Sequence, residues 1–190
     1  MAVTLRHKDF TIEVFDDPAF NQTSGSPASY GKIYQPDKHK DYRPISQHAI
    51  IVYHEDVKIA SAILLAVAGA TSVTADSVLI DGDNLIARCC NTVFSLTIPD
   101  LNLNWMTEAD WATCFSIHRY RDSYITHGEM SISRIDRNGN ILWSYGGADI
   151  FVCLQKGNPF EMYDNYIELT DFNGSMYRIN YDGGTIDRDI

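Results

Sequence analysis

Basic residues are scarce in this sequence. Fifteen lysines and arginines stand against 25 aspartates and glutamates in 190 residues, a net charge of −10 at neutral pH. Such a field repels phosphate backbones, so no nucleic-acid partner is expected. Long apolar runs are missing as well. The longest uncharged stretch, residues 59–75, has an apolar centre over 62–70, about half of the roughly 20 residues that a membrane helix needs. It reads as a buried strand, and no membrane association is expected. The opening MAVTLRHKDF has neither an apolar core nor a small-residue cleavage pattern, which points to a cytoplasmic chain. Four cysteines, Cys89, Cys90, Cys114 and Cys153, form no C-x-x-C pair and no dense scaffold. A secreted disulfide framework is thereby excluded, and they read as buried free thiols. There is no Gly-x-Ser-x-Gly elbow, P-loop or dinucleotide fingerprint, and Gly146-Gly147 lacks the spacing of a phosphate cradle. Helical periodicity is confined to one short candidate, residues 107–111, where Thr107 stands as a cap before early acids.

What remains is β chemistry. Residues 16–47 hold four of the six prolines, Pro18, Pro27, Pro36 and Pro44, with a Ser24-Gly25-Ser26 cluster, a composition suited to turns and extended segments. Residues 1–48 are therefore expected as an extended, proline-rich segment packed on the rest. From Ala49 onward, short runs of Ile, Val, Tyr, Phe and Thr alternate with Gly, Asn and Asp, the pattern of strands and turns. The whole chain, 1–190, is expected as one all-β domain, of which 49–190 is the repeated part.

Three segments of the chain align with one another. The first covers 83–90, 92–96 and 99–105, the second 122–129, 130–135 and 136–143, and the third 164–171, 173–179 and 181–186. Trp105 and Trp143 stand 38 residues apart, with Ile186 in the same place of the third copy. Each unit reads as strand, tight turn, strand, second turn, short strand. A degraded fourth copy is visible over 54–63. Asn173-Gly174 predicts a type I′ hairpin, and Asn138-Gly139 and Asp182-Gly183 the second turns. A period near 40 residues belongs to radial or stacked units.

The order of strand, turn, strand, Asp, Gly, short strand, Trp, carried best by Asp136, Gly139 and Trp143, resembles the repeats of quinoprotein-like (PQQ-type) β-propellers over residues 83–186. The resemblance implies antiparallel, blade-like sheets with tryptophans buried at unit boundaries. At about 40 residues per blade the chain holds four or five, a small propeller-like ring or an open stack. It is too short for the seven or eight blades of a quinoprotein enzyme. In some dehydrogenases with such repeats an adjacent cysteine pair closes a ring against the cofactor. Cys89-Cys90 has no cofactor cradle around it, so the pair reads as buried strand residues and no cofactor is expected. His127-Gly128-Glu129 followed by Ile132-Ser133-Arg134-Ile135-Asp136 is also similar to an arrangement in small bacterial proteins, a resemblance that brings no activity with it.

Candidate chemistry is sparse. His127 and Glu129, alternate residues of a strand, share a face as a base and an orienting carboxylate, unless Gly128 and Glu129 form the turn. His118 lies near in sequence, and Cys114 adds a thiolate as a candidate metal ligand, although no standard zinc spacing is present. Asp136-Arg137-Asn138-Gly139-Asn140 and Asp81-Gly82-Asp83-Asn84 imitate calcium loops but lack the acidic twelfth ligand, and read as turns. Trp111 lies outside the repeat, with a core role expected and surface contact as the alternative. Acids gather toward the end of the chain at Glu161, Asp164, Glu168, Asp171, Asp182, Asp187 and Asp189. Trp111, Asp164, Glu168 and Asp171 are thus candidate partner contacts. The leading expectation is a cytoplasmic, non-enzymatic interaction module, an inhibitor or immunity-type protein that masks a basic partner. The alternatives are a small enzyme or metal-binding protein built on His127, Glu129, His118 and Cys114, and a binder of small ligands on exposed aromatics.

Overall fold

The structure is a computed structural model that describes residues 2–21, 29–152 and 158–186. It contains sixteen strands among those residues, arranged as four sheets in chain order. The first sheet runs β1 (Ala2–His7), β2 (Phe10–Asp16), β4 (Ser46–His54), β5 (Val57–Ala66), β3 (Lys32–Tyr34), antiparallel except where β3 pairs parallel with β5. The second holds β6 (Val78–Asp81), β7 (Asn84–Cys89), β8 (Thr92–Thr97) and β9 (Leu103–Glu108). The third holds β10 (Cys114–Tyr120), β11 (Ser123–Gly128), β12 (Ile132–Asp136) and β13 (Ile141–Tyr145), and the fourth β14 (Phe160–Met162), β15 (Ile167–Thr170) and β16 (Met176–Ile179). Among the described residues the helix consists of two single 3₁₀ turns, Asp37–His39 and Ala75–Ser77.

Alternation along each strand sends one set of side chains to each neighbouring sheet. Ile12, Val14, Ile50, Val52 and Leu64 meet Leu85, Ala87, Cys89, Phe94 and Leu96 between the first and second sheets. Ile86, Val93, Ile117, Tyr124 and Ile135 fill the next interface, and Ile125, Ile132, Phe160, Ile167, Leu169 and Ile179 the last. Four sheets thus share three cores. Among the described residues no core cluster joins the fourth sheet to the first, and the first sheet's outer Ile63 and Leu65 pack on Phe20 and Tyr30. The units form a propeller-like stack of four sheets.

The tryptophans act as inter-sheet pegs. The Trp105 indole N–H donates to the Arg137 carbonyl (2.8 Å), and the Trp143 indole N–H to the Tyr181 carbonyl (2.9 Å). Each ring lies on the glycine of the next unit's second turn. A Cβ on Gly139 would sit 2.7 Å from Trp105 Cδ2, and one on Gly183 would sit 2.8 Å from Trp143 Cγ. Both tryptophans are half-buried, less than expected, because the outer strands carry them.

Three turns repeat one hydrogen-bonding scheme. Asp136, Asp171 and Asn180 each accept, through a side-chain oxygen, the backbone N–H four residues on, from Asn140, Ser175 and Gly184. The glycine before each of those donors has φ near +85° (Gly139 +86°, Gly174 +83°, Gly183 +85°). The calcium-like Asp136 loop is therefore a turn whose carboxylate is engaged by its own backbone and by Asn140.

Several expectations are corrected. Residues 2–16 are not an extended cover. They form the β1–β2 hairpin, with Ile12 and Val14 in the first core, because their own alternation favours a strand. In the described part of the proline-bearing stretch that follows, Phe20 and Tyr30 pack on the outer face of the first sheet and β3 joins its edge beside β5. Asn173-Gly174 is not type I′, since only the glycine has positive φ. Residues 107–111 form no helical turn: Thr107 and Glu108 end β9, and Asp110 organises a loop instead. Cys89 ends β7, whereas Cys90 lies in the following turn with φ +52°.

Candidate functional site

His127 sits on β11, where Nε2 lies 3.0 Å from the Phe151 carbonyl and the ring stacks on Phe160 at 5.0 Å and 7°. His118 on β10 stacks on the same Phe160 ring at 5.2 Å, with Nε2 2.8 Å from Ser116 Oγ. Burial holds both imidazoles neutral: the pKa of His127 is pushed down to about 4, and that of His118 is also lowered. The structure brings these two together, as a histidine pair clasping an aromatic ring from the fourth sheet.

It does not bring the other two candidates to them. Glu129 lies beyond the end of β11, its backbone N–H donating to the Thr113 carbonyl and its carbonyl accepting from Phe151 N–H. The shared strand face with His127 therefore does not exist. Cys114 packs in the second interface, with Ile86 and Tyr124. A bulge between Cys114 and Ser116 reverses the alternation of β10, so Cys114 faces the second sheet while His118 meets Phe160 of the fourth. Burial pushes the Cys114 thiol up to about 12, which holds it protonated. Among the described residues, no three His, Cys, Asp or Glu side chains stand close enough to hold a metal ion. Cys89, Cys90 and Cys114 are free and buried, and Cys153 lies outside the described residues.

Trp111 is 85% exposed, which overturns its expected core role. Its loop is nevertheless tightly fixed. The neighbouring Asp110, buried, accepts the backbone N–H groups of Ala112 (2.7 Å) and Thr113 (3.0 Å) on Oδ1. Its Oδ2 accepts Met130 N–H (3.0 Å), Ser131 N–H (2.8 Å) and the Ser131 hydroxyl (3.1 Å). One carboxylate thus clamps the connection between the second and third sheets to the β11–β12 turn. Gly128 makes room for it, since a Cβ there would lie 2.2 Å from Asp110 Oδ2. An aromatic side chain of this size, held in water on a rigid loop, offers contact area at low ordering cost.

The acidic candidates divide. Asp164 is exposed in the turn before β15. Glu168 is buried on β15 and receives Arg178 Nε (3.0 Å) and Nη2 (2.9 Å). Asp171 is fully buried, its carboxylate accepting Ser175 N–H and the Tyr177 hydroxyl. Asp171 is committed to holding its turn and Glu168 to the Arg178 pair, so neither is presented as a contact. Asp187 and Asp189 lie outside the described residues. Asp81, legible in sequence only as the start of a turn, is a buried carboxylate that binds Arg119 (3.1 Å), Arg137 (3.2 Å) and the Tyr124 hydroxyl (2.9 Å) between the second and third sheets.

No family model matches the chain, and no curated protein matches it. Solved structures do. The chain is similar to the WD40 β-propeller domain of Doa1, with 9% identity and a TM-score of 0.50 over 98% of this chain and 52% of that one. It is also similar to the computationally designed Ika8 protein, with 8% identity and a TM-score of 0.52 over 97% of this chain and 59% of that one. BamB from Moraxella catarrhalis aligns at 15% identity and a TM-score of 0.46, over 73% of this chain and 43% of its own. The chain spans roughly half the length of these structures. The first two establish propeller-like repeats as the fold. Among the described residues no helix is long and apolar enough to cross a membrane.

Proposed function

We propose that the chain, acting as one unit over 1–190, is a cytoplasmic, non-enzymatic protein-interaction module whose partner is a basic protein. In its most specific form it is an inhibitor or immunity-type protein that masks the partner's basic surface. The observation that carries the reading is Trp111, 85% exposed on a loop that the buried Asp110 holds rigid. Aromatic anchors of this kind dominate binding energy at interfaces. The net charge of −10 supports a basic partner through the steering that complementary fields provide. The separation of Cys114 and Glu129 from the His118–His127 pair removes the geometric support for a four-residue catalytic or metal site. The blade order resembles quinoprotein-type repeats, with Trp105 pegged on Gly139 and Trp143 on Gly183, a likeness of architecture alone.

The test is affinity capture from native lysate with the tagged full chain at low and at high salt, followed by mass spectrometry. A single basic protein retained at low salt and released at high salt is the expected result. Capture of nothing, or binding indifferent to salt, would overturn the reading.

A further inference from the structure

In four-stranded antiparallel units joined in series, the turn between second and third strands and the connection to the next unit lie at the same end. Backbone hydrogen bonds tie those loops into one continuous belt here. Gly69 N–H donates to the Ala112 carbonyl, Cys114 N–H to Cys90, Glu129 N–H to Thr113, Phe151 N–H to Glu129 and Phe172 N–H to Ile150. Three large apolar side chains stand exposed along the belt: Trp111 at 85%, Phe172 at 49% and Met130 at 39%.

Among its described residues the charge is of one sign; Lys156, in the connection between the third and fourth sheets, lies outside them. Among the described residues of the connections 67–77, 109–113, 146–152 and 158–159 and of the turns 90–91, 129–131 and 171–175 there is no lysine or arginine. The same residues carry Asp76, Asp110, Glu129, Asp149 and Asp171. Asp110 and Asp171 are buried and engaged internally, which leaves Asp76 exposed, with Glu129 and Asp149 half-buried beside the apolar row, the Asp149 carboxylate also accepting Asn173 Nδ2 and Ile150 N–H. The opposite end is different in kind, since its turns mix Lys8, Arg121 and Arg137 with their acids. So is the first sheet's side, where Tyr42 and Ile45 are flanked by Lys38, Lys40 and Arg43.

We propose that the loop end of the second to fourth sheets is a docking surface for a polypeptide segment in which apolar side chains alternate with lysines or arginines. Its apolar side chains cover Trp111, Met130 and Phe172, and its cations face Asp76, Glu129 and Asp149. This rests on the interaction reading above and adds to it the face used and the chemistry of what lies on it. An apolar row whose described loop residues carry carboxylates and no lysine or arginine favours such a segment twice over, by area removed from water and by sign. It also disfavours acidic partners, which would bring like charges together.

The probe is a short fluorescent peptide alternating lysine and leucine, with a glutamate–leucine peptide as its counterpart, followed by anisotropy against the full-length chain. The lysine peptide is expected to bind and the glutamate peptide not. Trp111→Ser and Glu129→Lys are each expected to weaken binding about tenfold or more, whereas Leu142→Ser, on the exposed outer strand β13, leaves it unchanged. All three positions are exposed or half-buried, and equal melting temperatures confirm intact folding. Equal affinity of the Trp111→Ser chain overturns the proposal, as does concentration-dependent self-association that this substitution abolishes, which would make the face a contact between copies. If Trp111→Ser and Glu129→Lys still capture the basic partner from lysate, this face is wrong and the interaction reading stands. If the unaltered chain binds neither peptide nor protein, both fail.

Discussion

Asp110 offers the sharpest test of how the loop end is held. Its carboxylate accepts four backbone N–H groups and one hydroxyl at 2.7 to 3.1 Å, from residues that lie two to twenty-one positions away. Asp110→Asn preserves shape and volume. In either orientation of the amide, its NH₂ faces two backbone donors, so two charge-assisted bonds are lost and two buried N–H groups go unpaired. Hydrogen bonds to a charged acceptor contribute roughly 1.5 to 3 kcal/mol each. Allowing for partial rescue by water at the loop surface, the substitution is expected to cost about 3 kcal/mol. Urea denaturation followed by far-UV circular dichroism reads this directly: with a slope of about 2 kcal/mol/M, the midpoint falls by about 1.5 M. Gly128→Ala pushes a methyl into the same carboxylate and is expected to cost a similar amount. Combined with Asp110→Ala, its effect is less than additive but does not vanish, because the carboxylate is gone while the Ser131 carbonyl, 2.5 Å from the new methyl, remains. An Asp110→Asn chain within about 0.5 kcal/mol of the unaltered one would refute the clamp, since that is the scatter of a neutral surface substitution.

Other expectations follow from the pegs and the histidines. Gly139→Ala and Gly183→Ala combine positive φ with collision against Trp105 and Trp143 and are expected to cost about 3 kcal/mol each, whereas Gly174→Ala, with nothing within 4 Å, costs only the backbone strain of about 1 kcal/mol. Calorimetric melting of the three variants checks the order. His127 titrates near 4 in the folded chain and near its ordinary 6.5 when unfolded. The unfolded chain therefore binds the extra proton between those values, and stability present above pH 6.5 is lost as pH falls toward 4, by about 3 kcal/mol. Denaturation midpoints from pH 7 to 4 should fall less steeply for His127→Phe, which stacks on Phe160 without titrating. A parallel decline would assign the acid sensitivity to other groups.

Much of the architecture is written locally. Asp136-x-x-Gly139 and Asn180-x-x-Gly183 mark turns because an Asx side chain bonds its own backbone and only glycine takes φ near +85° without strain. The tryptophan after such a turn marks the outer strand, so the last three strands of the second and third units and the last two of the fourth were legible, whereas β6, β10 and β14, which open each unit, fell outside the aligned segments. The β1–β2 hairpin was overlooked although Val3, Leu5, Ile12 and Val14 alternate, because the prolines that follow drew the boundary too late. The loop end was illegible for a different reason. Asp110 reaches Met130 and Ser131 through backbone groups, which leave no residue-type signal, and Trp111 looks the same in sequence whether buried or exposed. The His127–Glu129–Cys114 grouping failed because a bulge and a turn, neither visible in composition, reverse which face a side chain takes.

The central claim is that Trp111 anchors a basic partner on the loop end. It is tested most directly by titrating the partner recovered at low salt into the unaltered chain and into Trp111→Ser, side by side, by isothermal calorimetry at two salt concentrations. The account expects tight, salt-sensitive binding by the first and a loss of about tenfold or more in the second. Indistinguishable affinities for the two chains would contradict it.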